Sequence, residues 1–179
     1  MQDPHISAAF DRDLEAIQAM IMKMGGMVEA AIVDAAESLE SRDLETATRV
    51  RLNDKAIDAL EEQVNEEVAR LLALRSPVAS DLRTVLSVMK ISGNLERVGD
   101  YSKNIAKRTG VLMDLPHVDG AAAAIRRMAR AVEAMLKDAL DAYIQRDADM
   151  AEDVRNRDIE VDQMYNALFR VFLTHLMED

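Results

Sequence analysis

The sequence predicts an all-α protein, an elongated antiparallel helix bundle, and three observations support this fold class. Aromatic residues make up only 3% of the 179 residues, whereas alanine, leucine, methionine and acidic residues are abundant, as in helical bundles. Three prolines and six glycines leave long stretches without helix-breaking residues. Apolar residues also recur at intervals of three and four, which is the spacing of one helix face. Helices of about thirty residues would be about 45 Å long and would pack antiparallel through short loops.

The first helix is expected over residues 7–40. Its predicted apolar face consists of Phe10, Leu14, Ile17, Ile21, Met24, Val28, Ala31, Ala35 and Leu39. Gly25 and Gly26 lie inside this helix, so we expect them to weaken or bend it locally.

The second helix is expected over residues 43–75, with Asp43 as its N-cap. Its core line repeats every seven residues, at Val50, Ile57, Val64 and Leu71. Ser76-Pro77 should end this helix, because the residue before a proline avoids the helical conformation.

The third helix is expected over residues 80–113, with Ser80 as its N-cap. Its apolar stripe begins with Leu82, Val85, Leu86 and Met89. Residues 114–120 contain proline, glycine and aspartate and should form a linker. The fourth and fifth helices are expected over residues 121–145 and 147–177.

The chain also contains an internal repeat, which appears when the sequence is shifted by 104 positions, the interval from Asp54 to Asp158. Without a gap, the shift aligns Asp34 with Asp138, Arg42-Asp43 with Arg146-Asp147, Val50 with Val154, and Asp58 with Asp162. We therefore expect a first three-helix repeat over 1–114 and a second, incomplete repeat of two helices over 115–179. The last helix of the second repeat is missing, and we expect it to have been lost or to lie outside this sequence. The apolar face that it leaves would be exposed or covered by another subunit.

Composition excludes several classes of protein. A net charge of -11 argues against a general nucleic-acid binder, because the phosphate backbone is bound by basic surfaces. The chain has no cysteine and therefore no disulfide, thiolate metal site or cysteine nucleophile. We expect no apolar run long enough to span a bilayer, and the N-terminus lacks the pattern of a secretory signal. We expect a soluble, cytoplasmic protein.

Three carboxylate pairs have the same spacing of four residues: Asp54 with Asp58, Glu96 with Asp100, and Asp158 with Asp162. Such a spacing places both carboxylates on one helix face, where they repel each other. In the third helix the pair follows Met89 along the apolar stripe. If the second and third helices pack through their apolar faces, their acidic stripes should meet along a groove edge.

Two interpretations of these acids remain open. Oxygen ligands suit hard cations such as Mg²⁺, Ca²⁺ or Mn²⁺, and carboxylate-rich clusters also bind iron or zinc. Alternatively, the acids form surface salt bridges with nearby basic residues, for which the candidates are Arg97, Lys55, Lys103 and Arg83.

No pattern in the sequence favours an enzyme. None of the three histidines lies at helical ligand spacing from an acidic pair in a long helix, and no Glu-x-x-His pair of the ferritin kind exists. Asp114 and His117 have the right spacing, but they lie in the proline-containing linker. A phosphate-binding loop, a nucleophile elbow and a Ser/His/Asp arrangement are also absent from the sequence.

The strongest motif runs from Ser76-Pro-Val-Ala-Ser-Asp-Leu-Arg83 through Lys90-Ile-Ser-Gly-Asn-Leu-Glu-Arg-Val-Gly-Asp100 to Asn104-Ile-Ala106. It resembles the signature of the PhoU family, and the resemblance covers essentially the whole chain. The resemblance implies a six-helix bundle with bound metal, reported as iron, zinc, magnesium or manganese. It places a first site at Asp54, Asp58, Glu96 and Asp100, and a second at Asp158 and Asp162 with acids from a final helix. Many members carry histidine where this chain has Tyr101, so the resemblance implies no metal-ligand role at that position in this chain.

The resemblance also implies a function. Proteins of this family regulate bacterial phosphate uptake without being enzymes. They act at the inner face of the membrane, between the phosphate ABC transporter and a sensor histidine kinase, and suppress the phosphate-starvation response. The expected protein is thus a negative regulator and a homodimer, with peripheral membrane association allowed and no nucleic-acid partner. The alternative is a metal-binding or metal-storing bundle without a direct signalling role.

Overall fold

The structure is a computed structural model that describes the backbone of residues 4–178 and the side chains of residues 8–177. Over this range the chain forms five helices and no strand. They are α1 (Pro4–Ser41), α2 (Leu44–Arg75), α3 (Ala79–Leu112), α4 (Ala121–Gln145) and α5 (Ala148–Glu178). The predicted all-α fold class is therefore confirmed, with three helices in the first repeat and two in the second.

The helix ends follow local sequence signals, with one exception. Asp43 caps α2, because its side chain accepts hydrogen bonds from the backbone N–H groups of Glu45 and Thr46. Asp147 does the same for α5 by accepting from the N–H of Met150 at 2.9 Å. Ser80, however, is not the N-cap of α3. Val78 occupies that position in an extended conformation, without a side-chain cap.

The helix α1 is the centre of the bundle, since α2, α3 and α4 all pack against it. Its predicted apolar face is buried from Phe10 to Ala35, and Leu39 at its end is half-buried. The core line of α2 is buried as predicted, from Val50 to Leu71. Within the part of the chain that the structure describes, α5 packs against α4 and no other helix backbone.

The expectation that no segment is long and apolar enough to span a membrane is wrong, because one helix has the required length and composition. The stretch Ala8–Ser41 of α1 passes that test, with a mean hydropathy of 1.4 over its most apolar window. The central helix of a bundle also passes this test, because its neighbours cover several of its faces and those faces are therefore apolar.

The inner face of α3 differs from the predicted stripe. Its buried residues are Val85, Val88, Ser92, Leu95, Gly99, Ser102, Ala106 and Thr109. Leu82, Leu86 and Met89 are instead exposed by 36%, 43% and 37%. Half of the inner face thus consists of small residues, which let α3 lie close to its neighbours.

Gly25 lies at the contact between the two repeats. A Cβ atom added there would be 2.3 Å from Cδ1 of Leu140 in α4, and Leu140 is itself only 4% exposed. A Cβ atom on the adjacent Gly26 would contact nothing within 4 Å. The helix continues unbroken through both glycines. Gly25 therefore serves the packing of α1 on α4.

The outer face of α5 carries exposed apolar side chains, among them Tyr165, Phe169 and Leu176, which are 58%, 53% and 73% exposed. They continue the face of Asp158 and Asp162 at helical spacing. In the first repeat, α3 packs against α2 beside the equivalent Asp54 and Asp58. The apolar face that we expected to be uncovered is therefore present on α5.

Candidate functional site

The first acidic site lies where α2 packs against α3. Asp54 and Asp58 come from α2, and Glu96 and Asp100 come from α3. Asp54 is buried at 4% exposure, because it stands on the same helix face as core residues. The other three carboxylates are half-buried at the edge of the interface. The structure thus brings together the four residues of the predicted first site.

Lys103 is the basic side chain that joins the two helices here. Its Nζ forms ion pairs with Oδ2 of Asp54 and with Oδ1 of Asp100. The second oxygen of Asp54, Oδ1, is buried and has no hydrogen-bond partner. Such an unpartnered buried oxygen is energetically costly, because it has lost its water without a replacement donor.

The other three carboxylates of the site have shifted pKa values, in part because their charges act on one another. Burial raises the pKa of Asp58, and the charges of Asp54 and Asp100 raise it further. Burial likewise raises the pKa of Glu96, together with the charge and hydrogen bond of Asp100. The pKa of Asp100 is lowered, mainly by its hydrogen bond to Lys103. One ammonium therefore leaves part of the negative charge uncompensated.

Gly99 allows the close approach of α3 at this point. A Cβ atom on Gly99 would lie 3.2 Å from Cδ1 of Ile57 and 3.8 Å from Oδ1 of Asp54. An alanine here would already require Ile57 to shift by a few tenths of an ångström, so there is little room for a larger side chain beside the buried carboxylate. A glycine in the middle of a helix costs stability, so its presence here is best explained by this packing.

The donor set suits a hard cation, although the side chains are not arranged around one. Over the described side chains, no three acidic or histidine residues converge closely enough to hold an ion as they stand. The four carboxylates, one of which has an unpartnered buried oxygen, nevertheless offer oxygen ligands with excess negative charge. The residues fit a metal ion provided that Lys103 moves aside and the carboxylates turn inward.

The second predicted site is not assembled in the same way. Asp158 and Asp162 are both exposed on α5, on the face that continues into Tyr165 and Phe169. The nearby ion pairs of Arg157 go to Asp138 and Asp153 instead. The structure therefore places this acidic pair on one helix, away from the carboxylates of the first site.

Four basic residues are candidate partners for the acids on the basis of the sequence. Only Lys103 has this role among the described ion pairs; Arg97, Lys55 and Arg83 are exposed. Its link to Asp100 follows from their spacing of three residues, whereas its link to Asp54 spans 49 positions in the chain. The second link depends on how α2 and α3 pack, so sequence spacing could not reveal it.

Comparison with known proteins identifies the family. The model of the PhoU domain family matches residues 21–109 and 125–179. The chain is 43% identical over 175 residues to the phosphate-specific transport system accessory protein PhoU homolog of Zymomonas mobilis, covering 98% of this chain and 73% of the relative. The homolog of Rhizobium meliloti is 37% identical over 179 residues, covering 100% of this chain and 76% of the relative.

Solved structures agree with the sequence relatives. The crystal structure of PhoU from Pseudomonas aeruginosa superposes with a TM-score of 0.90 at 36% identity, covering 95% of this chain and 81% of that one. The phosphate transport system regulatory protein PhoU from Streptococcus pneumoniae gives 0.87 at 30% identity, covering 95% and 80%. These relatives are named as accessory or regulatory proteins, in agreement with the expectation that the chain is not an enzyme. The chain belongs to the PhoU family.

Proposed function

We propose that this protein is a negative regulator of bacterial phosphate uptake, acting as an adaptor between the phosphate ABC transporter and a sensor histidine kinase. The observation that carries the proposal is the family match over the whole chain, whose relatives are named as accessory proteins of phosphate-specific transport. The protein would work in the cytoplasm at the inner membrane face. A helical bundle suits an adaptor, which acts through its surfaces.

A second part of the proposal is that the protein binds metal ions, of iron, zinc, magnesium or manganese, at the first acidic site. Asp54, Asp58, Glu96 and Asp100 would hold the ion, and Asp158 and Asp162 would belong to a second site. The unpartnered Oδ1 of Asp54 supports the first site. A bound cation would neutralise the carboxylates and join α2 to α3.

The regulatory proposal is tested in a bacterium whose own copy of the gene has been deleted. Phosphate-uptake genes should be expressed constitutively in the deletion strain, and this chain should restore repression when phosphate is plentiful. A matched strain should receive the Gly25→Ala variant, which we expect to be less stable. This strain shows how far a loss of folding stability alone weakens repression. Normal phosphate control in the deletion strain, combined with altered metal tolerance, would instead support the metal-storing alternative.

The metal proposal is tested by elemental analysis of purified protein after loading with Mn²⁺. Asp58→Ala and Glu96→Ala should each lower the metal content and the metal-dependent gain in thermal stability. The reason is that each removes a carboxylate from the site that lies between α2 and α3. Glu62→Ala is the control, because Glu62 is exposed on α2 and lies outside the proposed set. Unchanged metal content in both site variants would show that the assignment is wrong.

We also propose that the protein is a homodimer, supported by the exposed apolar side chains on α5, including Tyr165 and Phe169. The molar mass measured by light scattering decides between one and two copies. A mass of one chain at micromolar concentration would exclude a stable dimer.

A further inference from the structure

We propose that Lys103 is an internal cation that occupies the first acidic site and competes with a metal ion for it. This inference rests on the proposed metal binding and concerns a residue that lies outside the predicted ligand set. Metal binding would then require the displacement of the Lys103 ammonium from the Asp54 and Asp100 carboxylates.

The position of the ammonium supports this role. Nζ of Lys103 contacts one carboxylate from each helix, Asp54 on α2 and Asp100 on α3. A metal ion that bridges the two helices would need the same two groups. The side chain of Lys103 is 23% exposed, whereas that of Asp54 is 5% exposed, so the ammonium covers the buried carboxylate from the solvent side.

The ammonium compensates the site only in part. It pairs with Oδ2 of Asp54 and leaves Oδ1 of the same carboxylate buried without a partner. A divalent cation carries more charge and can bind both oxygens of a carboxylate. This unpartnered oxygen shows that Lys103 alone does not satisfy the buried carboxylate, which supports binding of a second kind of cation.

A lysine is well suited to leave such a site. Its ammonium is a compact charge on a flexible chain of four methylenes, so it can swing into water without disturbing the helix backbone. The ammonium and a metal ion could not share the site, because two cations a few ångströms apart repel each other. Exchange between the two is therefore the expected behaviour.

The test compares Lys103→Met with the parent chain after both have been stripped of metal by a chelator. Binding of Mn²⁺ is measured by titration calorimetry. We expect Lys103→Met to bind Mn²⁺ at least about tenfold more tightly, since the competing charge is gone. Lys103→Arg keeps the charge and should bind no more tightly than the parent chain.

Lys107→Met is the matched control. Lys107 lies one helical turn further along α3, and its described hydrogen bond goes to Asn104 at 3.4 Å. The charge of Lys107 acts on Asp100 more weakly than Lys103 does, so Lys107→Met should change the Mn²⁺ affinity much less than Lys103→Met. If Lys103→Met binds Mn²⁺ with equal or lower affinity, the competition is refuted while the metal site stands.

Thermal unfolding without metal shows whether Lys103 stabilises the fold, whether or not the site binds metal. Lys103→Met should unfold at a lower temperature than Lys107→Met, because Asp54 then stays buried without any cation, and added Mn²⁺ should restore the loss. If no variant binds Mn²⁺, the proposed metal site fails and the competition fails with it. The lower melting temperature would in that case identify Lys103 as a purely structural ion-pair partner.

Discussion

Gly25→Ala should destabilise the protein by about 1–3 kcal/mol, although alanine normally favours a helix over glycine by about 1 kcal/mol. The added methyl group would lie 2.3 Å from Cδ1 of Leu140, a distance at which one of the two helices or the leucine must move. Leu140 is buried against α1 and belongs to the main core, so its side chain cannot move without giving up part of its packing there. The free energy of unfolding in urea measures the loss.

The adjacent position provides the control for this prediction. Gly26→Ala adds the same methyl group on the open side of α1 and should stabilise the protein by about 1 kcal/mol. The two substitutions share composition, helix and local sequence, so their opposite signs would isolate the contact with α4. Equal effects of the two substitutions would mean that α4 does not pack on Gly25 as described.

The second large effect concerns pH in the absence of metal. A carboxyl group whose pKa is higher in the folded protein binds more protons when folded, so the folded state loses stability as the pH rises through the raised value. Asp58 and Glu96 both have pKa values raised above their ordinary values of 3.8 and 4.5. Asp100 acts in the opposite direction, since its pKa is lowered.

The double variant Asp58→Asn, Glu96→Gln should therefore lose less stability than the parent chain as the pH rises from about 4 to 7. At pH 7 without metal it should be the more stable protein, because two repelling charges are gone. With Mn²⁺ the order should reverse if the proposed site exists. Chemical denaturation at a series of pH values, with a chelator or with Mn²⁺, measures both effects.

Asp158→Asn, Asp162→Asn is the matched control. It removes an acidic pair of the same spacing, but both carboxylates are exposed on α5. Screening by water makes such exposed charges nearly neutral for stability. A pH profile that changes as much in this control as in the first double variant would contradict the description of the α2–α3 site.

The sequence predicted most of this fold where large apolar residues mark the buried faces. The faces of α1 and α2 were correct because Ile21, Val28, Ile57 and Val64 repeat at helical spacing and are all buried. The inner face of α3 was misjudged because Ser92, Gly99 and Ser102 are buried without being large or apolar. Hydrophobic periodicity cannot detect such a face, since close approach of two helices selects for small volume rather than for hydrophobicity.

The acidic site was predictable in a similar, partial way. The spacing of Asp54 with Asp58 and of Glu96 with Asp100 indicated two acidic helix faces, and the structure brings them together. The spacing could not reveal that Asp54 is buried whereas Asp58 is not, because that difference arises from the packing of α3. The choice of Lys103 among four basic candidates has the same tertiary origin.

The arrangement of α5 has a consequence for how the two acidic pairs differ. Asp54 and Asp58 stand on a helix held by two neighbours, whereas Asp158 and Asp162 stand on a helix held by α4 alone among the described elements. The conformational entropy of ordering the first pair is already lost when the protein folds. A ligand bound by the second pair would have to restrict α5 itself, so part of its binding free energy would be spent on ordering the helix. The two copies of one acidic motif are therefore unequal in preorganisation, although both carry two aspartates at the same spacing.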